Sequence, residues 1–159
     1  MITPHNIRIT VKNGEVTRAI TDGRYDEINK QMLAPEEREK TASVQLIFYR
    51  TINGQEKPVA VEQKIKYNDS IEKATLKELL AGPQEENIYS LIDENTEILD
   101  FKIKDNKAKV NFSGEIEPAG GSAWVAAIKT QIKRTLTQFD SIEKVEIAVE
   151  GETEAILQP

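Results

Sequence analysis

The chain has 159 residues, of which 38% are hydrophobic and 30% charged, and its formal net charge is −6. These values fit one globular domain plus an appendage, and no apolar run approaches the roughly 20 residues of a membrane span. The acidic surplus argues against general nucleic-acid binding, which needs a surface rich in lysine and arginine. The absence of cysteine excludes disulfides, thiolate metal sites and cysteine nucleophiles.

The first 40 residues form a separate small unit in this interpretation. Isoleucine and valine alternate with polar residues on both sides of Asn13-Gly14, which predicts a β-hairpin with a type I′ turn. Apolar residues at helical spacing then predict a short helix: Tyr25, Ile28, Met32 and Leu33. A charged linker over 35–40 ends the unit, and a main domain over 41–159 follows. We expect the unit to dock on that domain, to pair with a partner, or to be the remnant of a larger domain.

The main domain opens with two predicted strands and a helix. Alternation in Ser43–Arg50 and again up to Tyr67 indicates the strands, and an amphipathic segment after Asp69 indicates the helix. Gly82 can adopt the left-handed conformation that ends a helix, and Pro83 forbids its continuation. The helix therefore stops at the sequence Leu79-Leu80-Ala81-Gly82-Pro83.

A second hairpin is predicted around Asp105-Asn106. This turn places Lys104 opposite Lys107 and Lys102 opposite Lys109, so that four lysines share one face. A solvated face balanced by glutamates on neighbouring strands is one interpretation. The other is a binding surface for an acidic protein, an anionic lipid headgroup or a wall polymer.

The second predicted helix follows Pro118-Ala119-Gly120-Gly121-Ser122, where Ser122 can cap the helix. Its apolar stripe runs from Val125 to Phe139, and a closing strand follows at Val145–Val149. Trp124 lies beside the stripe, either packed at the edge of the core or forming an interaction hot spot. The glycine pair could also cradle an anion, although its spacing matches no nucleotide-binding motif.

These elements predict an α+β fold. We expect a two-layer sandwich in which a mostly antiparallel sheet is covered on one face by two helices, in the order ββα-ββ-α-β. The segment from about 44 to 150 resembles the GerMN domain family of sporulation and spore germination proteins. Two sets of residues carry the resemblance: the helix end Leu79, Leu80, Gly82 and Pro83, and the helix start Gly120, Gly121 and Ser122.

The resemblance implies a non-enzymatic, extracytoplasmic domain similar to ring-building motifs, found in lipoproteins and cell-envelope proteins. It implies a protein partner or self-association. The candidate contact residues, Trp124 and the four lysines, come from the sequence pattern and not from the resemblance. The alternative is an accessory module that binds cell-wall glycan or anionic polymer for a wall enzyme. An unrecognised enzyme is a third possibility.

Few residues of the chain suggest a reaction. His5 is the single histidine, so a histidine-based triad would have to use this terminal residue, and a surface role is the simpler reading. The segment from Met1 to His5 lacks the basic-then-apolar pattern of a secretory signal. We therefore predict no catalytic residues, no cofactor and no metal.

Overall fold

The computed structural model describes residues 5–32, 34, 40–117 and 121–153. These form two compact units, the first lying within residues 1–41 and 66–70 and the second within 42–65 and 71–159. Leu33, Gly120 and positions 35–39 of the predicted linker lie outside the described residues.

The first unit contains a four-stranded antiparallel sheet in the order β1-β2-β3-β4. Its strands are β1 (Ile7–Lys12), β2 (Glu15–Thr21), β3 (Tyr25–Asp26) and β4 (Gln31–Met32). The predicted hairpin is confirmed, because β1 pairs with β2 about Asn13-Gly14, whose φ angles are +51° and +81°. One extra residue in β2, Thr17, forms a bulge opposite the Thr10/Val11 step.

The predicted short helix is wrong, since Tyr25 and Met32 pair with each other in strands β3 and β4. The carboxylate of Asp26 accepts hydrogen bonds from the backbone amides of Ile28, at 2.9 Å, and Asn29, at 3.1 Å. This side-chain turn competes with helical hydrogen bonding, and Lys30 then takes a positive φ of 54°. The chain therefore reverses where the apolar spacing suggested a helix.

The second unit follows the predicted order of strands and helices and is α+β. Its elements are β5 (Lys40–Ile52), β6 (Gln55–Tyr67), α1 (Ile71–Ala81), β7 (Ile98–Lys104), β8 (Lys107–Phe112), α2 (Ser122–Leu136) and β9 (Lys144–Val149). Strands β5 and β6 form a ribbon, and β7-β8-β9 form a second sheet. The β7–β8 pair is antiparallel, whereas β9 runs parallel to β8.

One hydrophobic core is shared by both helices and both sheets of the second unit. Phe48 from β5, Phe112 from β8, Leu79 from α1 and Ile128 from α2 are all fully buried in it. Apolar residues occur at alternate positions along the strands and at every third or fourth position along the helices. Each element therefore has one apolar side, which packs against the core. This burial fixes the positions of the outer surfaces of these strands and helices.

Candidate interaction surfaces

The lysine face lies on the outer side of sheet β7-β8-β9. Lys102 pairs with Lys109 and Lys104 pairs with Lys107, as the turn at Asp105-Asn106 predicts. The parallel strand β9 adds Lys144 beside Lys107 and Glu146 beside Lys109. Five lysines therefore line this surface: Lys102, Lys104, Lys107, Lys109 and Lys144.

Two carboxylates offset part of this charge. Glu146 forms ion pairs with Lys107 and, at 2.9 Å, with Lys109. The hydrogen bonds from Lys107 and Lys109 hold the pKa of the Glu146 carboxyl below its usual value. Asp100 pairs with Lys102 at 2.7 Å, and its pKa is lowered for the same reason. The lysine face is therefore internally paired on one side and richest in positive charge around Lys104 and Lys144.

Trp124 is an exposed aromatic residue on the first turn of α2. Its side chain is 44% exposed, whereas the neighbouring Val125 is 7% exposed and Ile128 is fully buried. The helix is also tied to β5, since the Tyr49 hydroxyl donates to the carbonyl of Ala127 at 3.0 Å. The helix thus packs its inner side on the core and leaves Trp124 partly exposed to solvent.

The outer edge of β5 is closed by hydrogen bonds. Gln138 accepts from the amide of Gln45 and donates to its carbonyl, both at 2.8 Å. The amide of Ile47 donates to the Thr135 hydroxyl at 3.0 Å. The next outward-facing residue, Tyr49, exchanges two backbone hydrogen bonds with Tyr89, at 2.8 and 2.9 Å. Because these groups are paired, residues 45 to 49 of β5 cannot accept an added strand.

A buried glutamine joins α2 to the connection before β7. Gln131 is fully buried, and its side chain accepts from the amide of Leu91 at 3.2 Å and donates to Ser90 at 2.8 Å. Both ends of the amide are therefore satisfied, which a buried polar side chain requires. Sequence reasoning missed Gln131 and Thr135 on α2 and Gln138 in the turn after it, because a polar residue on or near an amphipathic helix gives no sign of a backbone partner far along the chain.

The family-motif residues have structural roles. Leu79 is fully buried, Leu80 packs at the edge of the core, and Gly82 has a φ of +81° directly after α1 and before Pro83. The predicted cap at Ser122 is wrong, because α2 begins at Ser122 itself and Gly121 occupies the N-cap position. The Gly121 carbonyl accepts from the amide of Trp124 at 3.0 Å, and no side chain caps the helix.

The first unit holds the histidine and a cavity. His5 is exposed and its Nδ1 contacts the carboxylate of Asp22, which lowers the pKa of that carboxyl. The cavity has a volume of about 730 Å³, and its lining includes Arg8, Arg18, Asp22 and Asn68. Two arginines and an aspartate therefore contribute to its lining. In the described ranges no group of three or more histidine, aspartate or glutamate side chains is arranged to hold a metal ion.

Neither α1 nor α2, the α-helices of the described chain, has the length and apolar content to cross a lipid bilayer.

The family model for "Germane: Sporulation and spore germination" matches residues 17–155, starting well before Val44, where the resemblance in the sequence begins. Among curated proteins, none matches significantly.

Solved structures with the same fold include GerMN domains. The tandem GerMN domains of the sporulation protein GerM from Bacillus subtilis match with a TM-score of 0.61 and 21% identity, covering 73% of this chain and 41% of that one. The first GerMN domain of the same protein matches with a TM-score of 0.53 and 23% identity, covering 70% and 85%. A candidate lipoprotein from Clostridium perfringens matches with a TM-score of 0.52 and 27% identity, covering 74% and 80%.

The chain spans 41% of the length of the tandem-domain structure. The family model covers most of the chain, and these structures share its α+β architecture. The chain therefore belongs to the GerMN family of sporulation and spore germination proteins.

Proposed function

We propose that this chain is a non-enzymatic domain that binds a protein partner outside the cytoplasm, in a sporulation, germination or cell-envelope complex. The observation that carries the proposal is Trp124, which is 44% exposed at the start of a helix whose inner side is buried. Membership of the GerMN family and the likeness to a candidate lipoprotein support the location.

The energetics of protein interfaces favour Trp124 as an anchor. Tryptophan is enriched among the residues whose truncation costs most binding energy, because it buries a large apolar area with few rotatable bonds. Val125 and Ile128 hold the helix against the core, so little ordering entropy would be lost when the ring is covered. The closed edge of β5 directs the proposal to the flank of α2 instead of that strand.

Site-specific crosslinking would test this proposal. A photoreactive amino acid replaces Trp124 in one variant and Leu99 in a matched control, which is 47% exposed on β7. We expect a defined protein adduct in cells from position 124 but not from position 99. Purified partner should then bind the Trp124→Ala variant at least tenfold more weakly than the parent chain. Equal adducts from both positions, or unchanged affinity, would overturn the proposal.

The lysine face supports a second candidate function, which is binding of an anionic wall polymer. Lys104, Lys107 and Lys144 lie in one row across three strands, and the ion pairs described above involve Lys102, Lys107 and Lys109 with Asp100 and Glu146. Such binding would be electrostatic, so it should weaken steeply as salt rises.

Charge neutralisation tests this second candidate. Replacing Lys102, Lys104, Lys107 and Lys109 with glutamine should abolish retention on isolated wall polymer. The matched control changes the net charge equally at four exposed lysines elsewhere: Lys57, Lys64, Lys77 and Lys133. Equal loss in both variants would indicate attraction by net charge alone, and unchanged retention in the first would remove this candidate.

A further inference from the structure

Strand β1 exposes an unusual row of apolar residues. It is the terminal strand of sheet β1-β2-β3-β4, and all six of its residues are exposed. Ile7, Ile9 and Val11 alternate along it and are 60%, 56% and 57% exposed. Natural edge strands generally carry charges, bulges or prolines that prevent pairing. Strand β1 has Arg8 and Lys12 on its other face, but no charge or proline interrupts this apolar row.

The row belongs to a larger apolar face of the same sheet. One row of residues crosses all four strands: Ile7 lies opposite Thr21, Thr21 opposite Tyr25, and Tyr25 opposite Met32. Val16 lies directly opposite Val11. Large exposed apolar residues on this face are therefore Ile7, Ile9, Val11, Val16 and Met32. The other face of β1 carries Arg8, Thr10 and Lys12.

The backbone of β1 shows which residues present free hydrogen-bonding groups. The amide of Asp22 on the β2 side donates to the carbonyl of Asn6 at 2.7 Å, so Asn6 faces β2. Along an antiparallel strand, successive residues direct their backbone N–H and C=O groups alternately toward and away from the partner strand. The bulge residue Thr17 lies in β2, so this alternation is unbroken along β1. The outward backbone groups therefore belong to the apolar residues Ile7, Ile9 and Val11.

From this arrangement we infer that β1 pairs antiparallel with β1 of a second copy of this chain, about a two-fold axis at Ile9. The inference goes beyond the proposed function, because it names a second interaction, between two copies of the chain, at a surface other than Trp124. Ile7 lies opposite the partner's Val11, and each Ile9 lies opposite the other. Three residues on each side then exchange backbone hydrogen bonds, and two four-stranded sheets become one sheet of eight strands.

Charge selects this register. An axis at Arg8 would place the two arginines opposite each other, and an axis at Thr10 would place Arg8 opposite the partner's Lys12. With the axis at Ile9, Arg8 faces the partner's Thr10, and Lys12 faces the partner's Asn6. Like charges directly opposed across strands are destabilising, so only the Ile9 axis pairs every apolar residue without opposing two cations.

A second copy fits this edge because the sequence of β1 is complementary to itself. In a two-fold interface the same surface of both copies is in contact. When two antiparallel copies of Ile7–Val11 pair about Ile9, each apolar residue lies opposite another apolar residue. The contact covers only one short strand from each copy, which is small for a protein interface. The expected dimer is therefore reversible and populated at high concentration.

Cysteine crosslinking reads the register directly, because the chain has no native cysteine. At the Ile9 axis, Arg8 and the partner's Thr10 form a non-hydrogen-bonded pair with Cα atoms about 4.5 Å apart, within the disulfide range of about 4.4–6.8 Å. Two cysteines at position 8, or two at position 10, would be two positions apart along the paired strands. Their Cα atoms would be roughly 8 Å apart, which is too far for a disulfide.

The experiment mixes Arg8→Cys and Thr10→Cys chains under mild oxidation. We expect the mixed disulfide to exceed either homodimeric disulfide at least fivefold. A statistical distribution of the three products, or no crosslinking at concentrations where the parent chain self-associates, would overturn the inference.

A second pair of variants separates the edge from the apolar face. In Ile9→Lys, two cations oppose each other at the axis, and sedimentation equilibrium should report a dissociation constant at least tenfold higher. Val16→Lys makes the same change on the same face in β2 and should alter the constant less than threefold. Circular dichroism checks that both variants are folded.

Equal weakening by the two substitutions, or a parent chain that stays monomeric at every concentration, would overturn the inference. Failure here is distinguishable from failure of the proposed function. The crosslinking at Trp124 uses a different surface, and the Trp124→Ala variant should dimerise like the parent chain.

Discussion

The amide of Ile47 on β5 donates a hydrogen bond to the hydroxyl of Thr135 on α2, at 3.0 Å in a fully buried environment. A helix side chain thereby takes the place of a neighbouring strand, and Gln138 does the same for Gln45 one step along β5. The outer edge of a two-stranded ribbon is closed without a third strand. This closure explains how a ribbon of only two strands stays part of the domain.

Replacing Thr135 with valine should destabilise the domain. Valine has nearly the same shape as threonine but cannot accept a hydrogen bond, so the Ile47 amide would lose its partner inside the protein. A buried amide without a partner costs about 1–3 kcal/mol. Urea unfolding followed by circular dichroism should show a reduction of this size in the free energy of unfolding.

Thr96→Val is the matched control, and it should raise the free energy of unfolding instead of lowering it. Thr96 is 6% exposed, and its buried hydroxyl has no hydrogen-bond partner within the described part of the chain. Replacing an unpaired hydroxyl with a methyl group removes a desolvation cost, so we expect about 1 kcal/mol of added stability. A loss of stability in Thr96→Val, or none in Thr135→Val, would contradict this account of the two hydroxyls.

Gly121→Ser should stabilise α2. Gly121 is the N-cap residue in an extended conformation, with φ −76° and ψ −169°, and an added Cβ would meet no atom within 4 Å. A serine there can bond to amides that the first helical turn leaves unpaired, but glycine is already an acceptable N-cap residue, so the gain over glycine should be roughly 0.3 kcal/mol.

Ser122→Ala provides the comparison, because Ser122 is the first residue inside the helix and not its cap. Its free energy of unfolding should change by less than about 0.5 kcal/mol. Thermal unfolding of the two variants decides the position of the cap. A large loss in Ser122→Ala would restore the cap that the sequence predicts.

Local signals in the sequence predicted much of the second unit. The turn at Asp105-Asn106 fixes the lysine register because both residues take positive φ, 52° and 56°, and a two-residue turn leaves one pairing of the strands. Gly82 and Pro83 end α1 where a left-handed residue followed by proline allows no further turn. These features depend on neighbouring residues alone.

Features that depend on side-chain competition or on distant partners were not predictable. The spacing of Tyr25, Ile28 and Met32 suits a helix, but the Asp26 carboxylate binds the following amides and reverses the chain. The alternation in β9 does not reveal that it runs parallel to β8, so the position of Lys144 beside Lys107 was missed. The partner of Gln138 on β5, Gln45, lies 93 residues away in the sequence.

The Glu146 carboxylate should make the stability of the domain pH-dependent. Hydrogen bonds from Lys107 and Lys109 lower its pKa in the folded state below the ordinary value of 4.5. The ionised pair therefore contributes stability above the unfolded pKa, and the contribution is lost as pH falls through the folded pKa. Glu146→Gln should be less stable than the parent at neutral pH, and the difference should shrink on acidification.

A double-mutant comparison isolates this effect. With Lys107 and Lys109 both replaced by methionine, adding Glu146→Gln should no longer change the dependence of the melting temperature on pH. If the substitution has the same effect with and without the two lysines, then the carboxylate does not act through them.

Trp124→Ala should reduce stability far less than a substitution at the core of the same helix. Trp124 is 44% exposed, so its removal should cost about 1 kcal/mol, whereas Ile128→Ala deletes a fully buried side chain and should cost about 3 kcal/mol. The difference matters because a loss of partner binding in Trp124→Ala can then be assigned to the surface itself. Urea unfolding of both variants gives the comparison, and a larger loss in Trp124→Ala would mean that the indole ring is a core residue and not a free anchor.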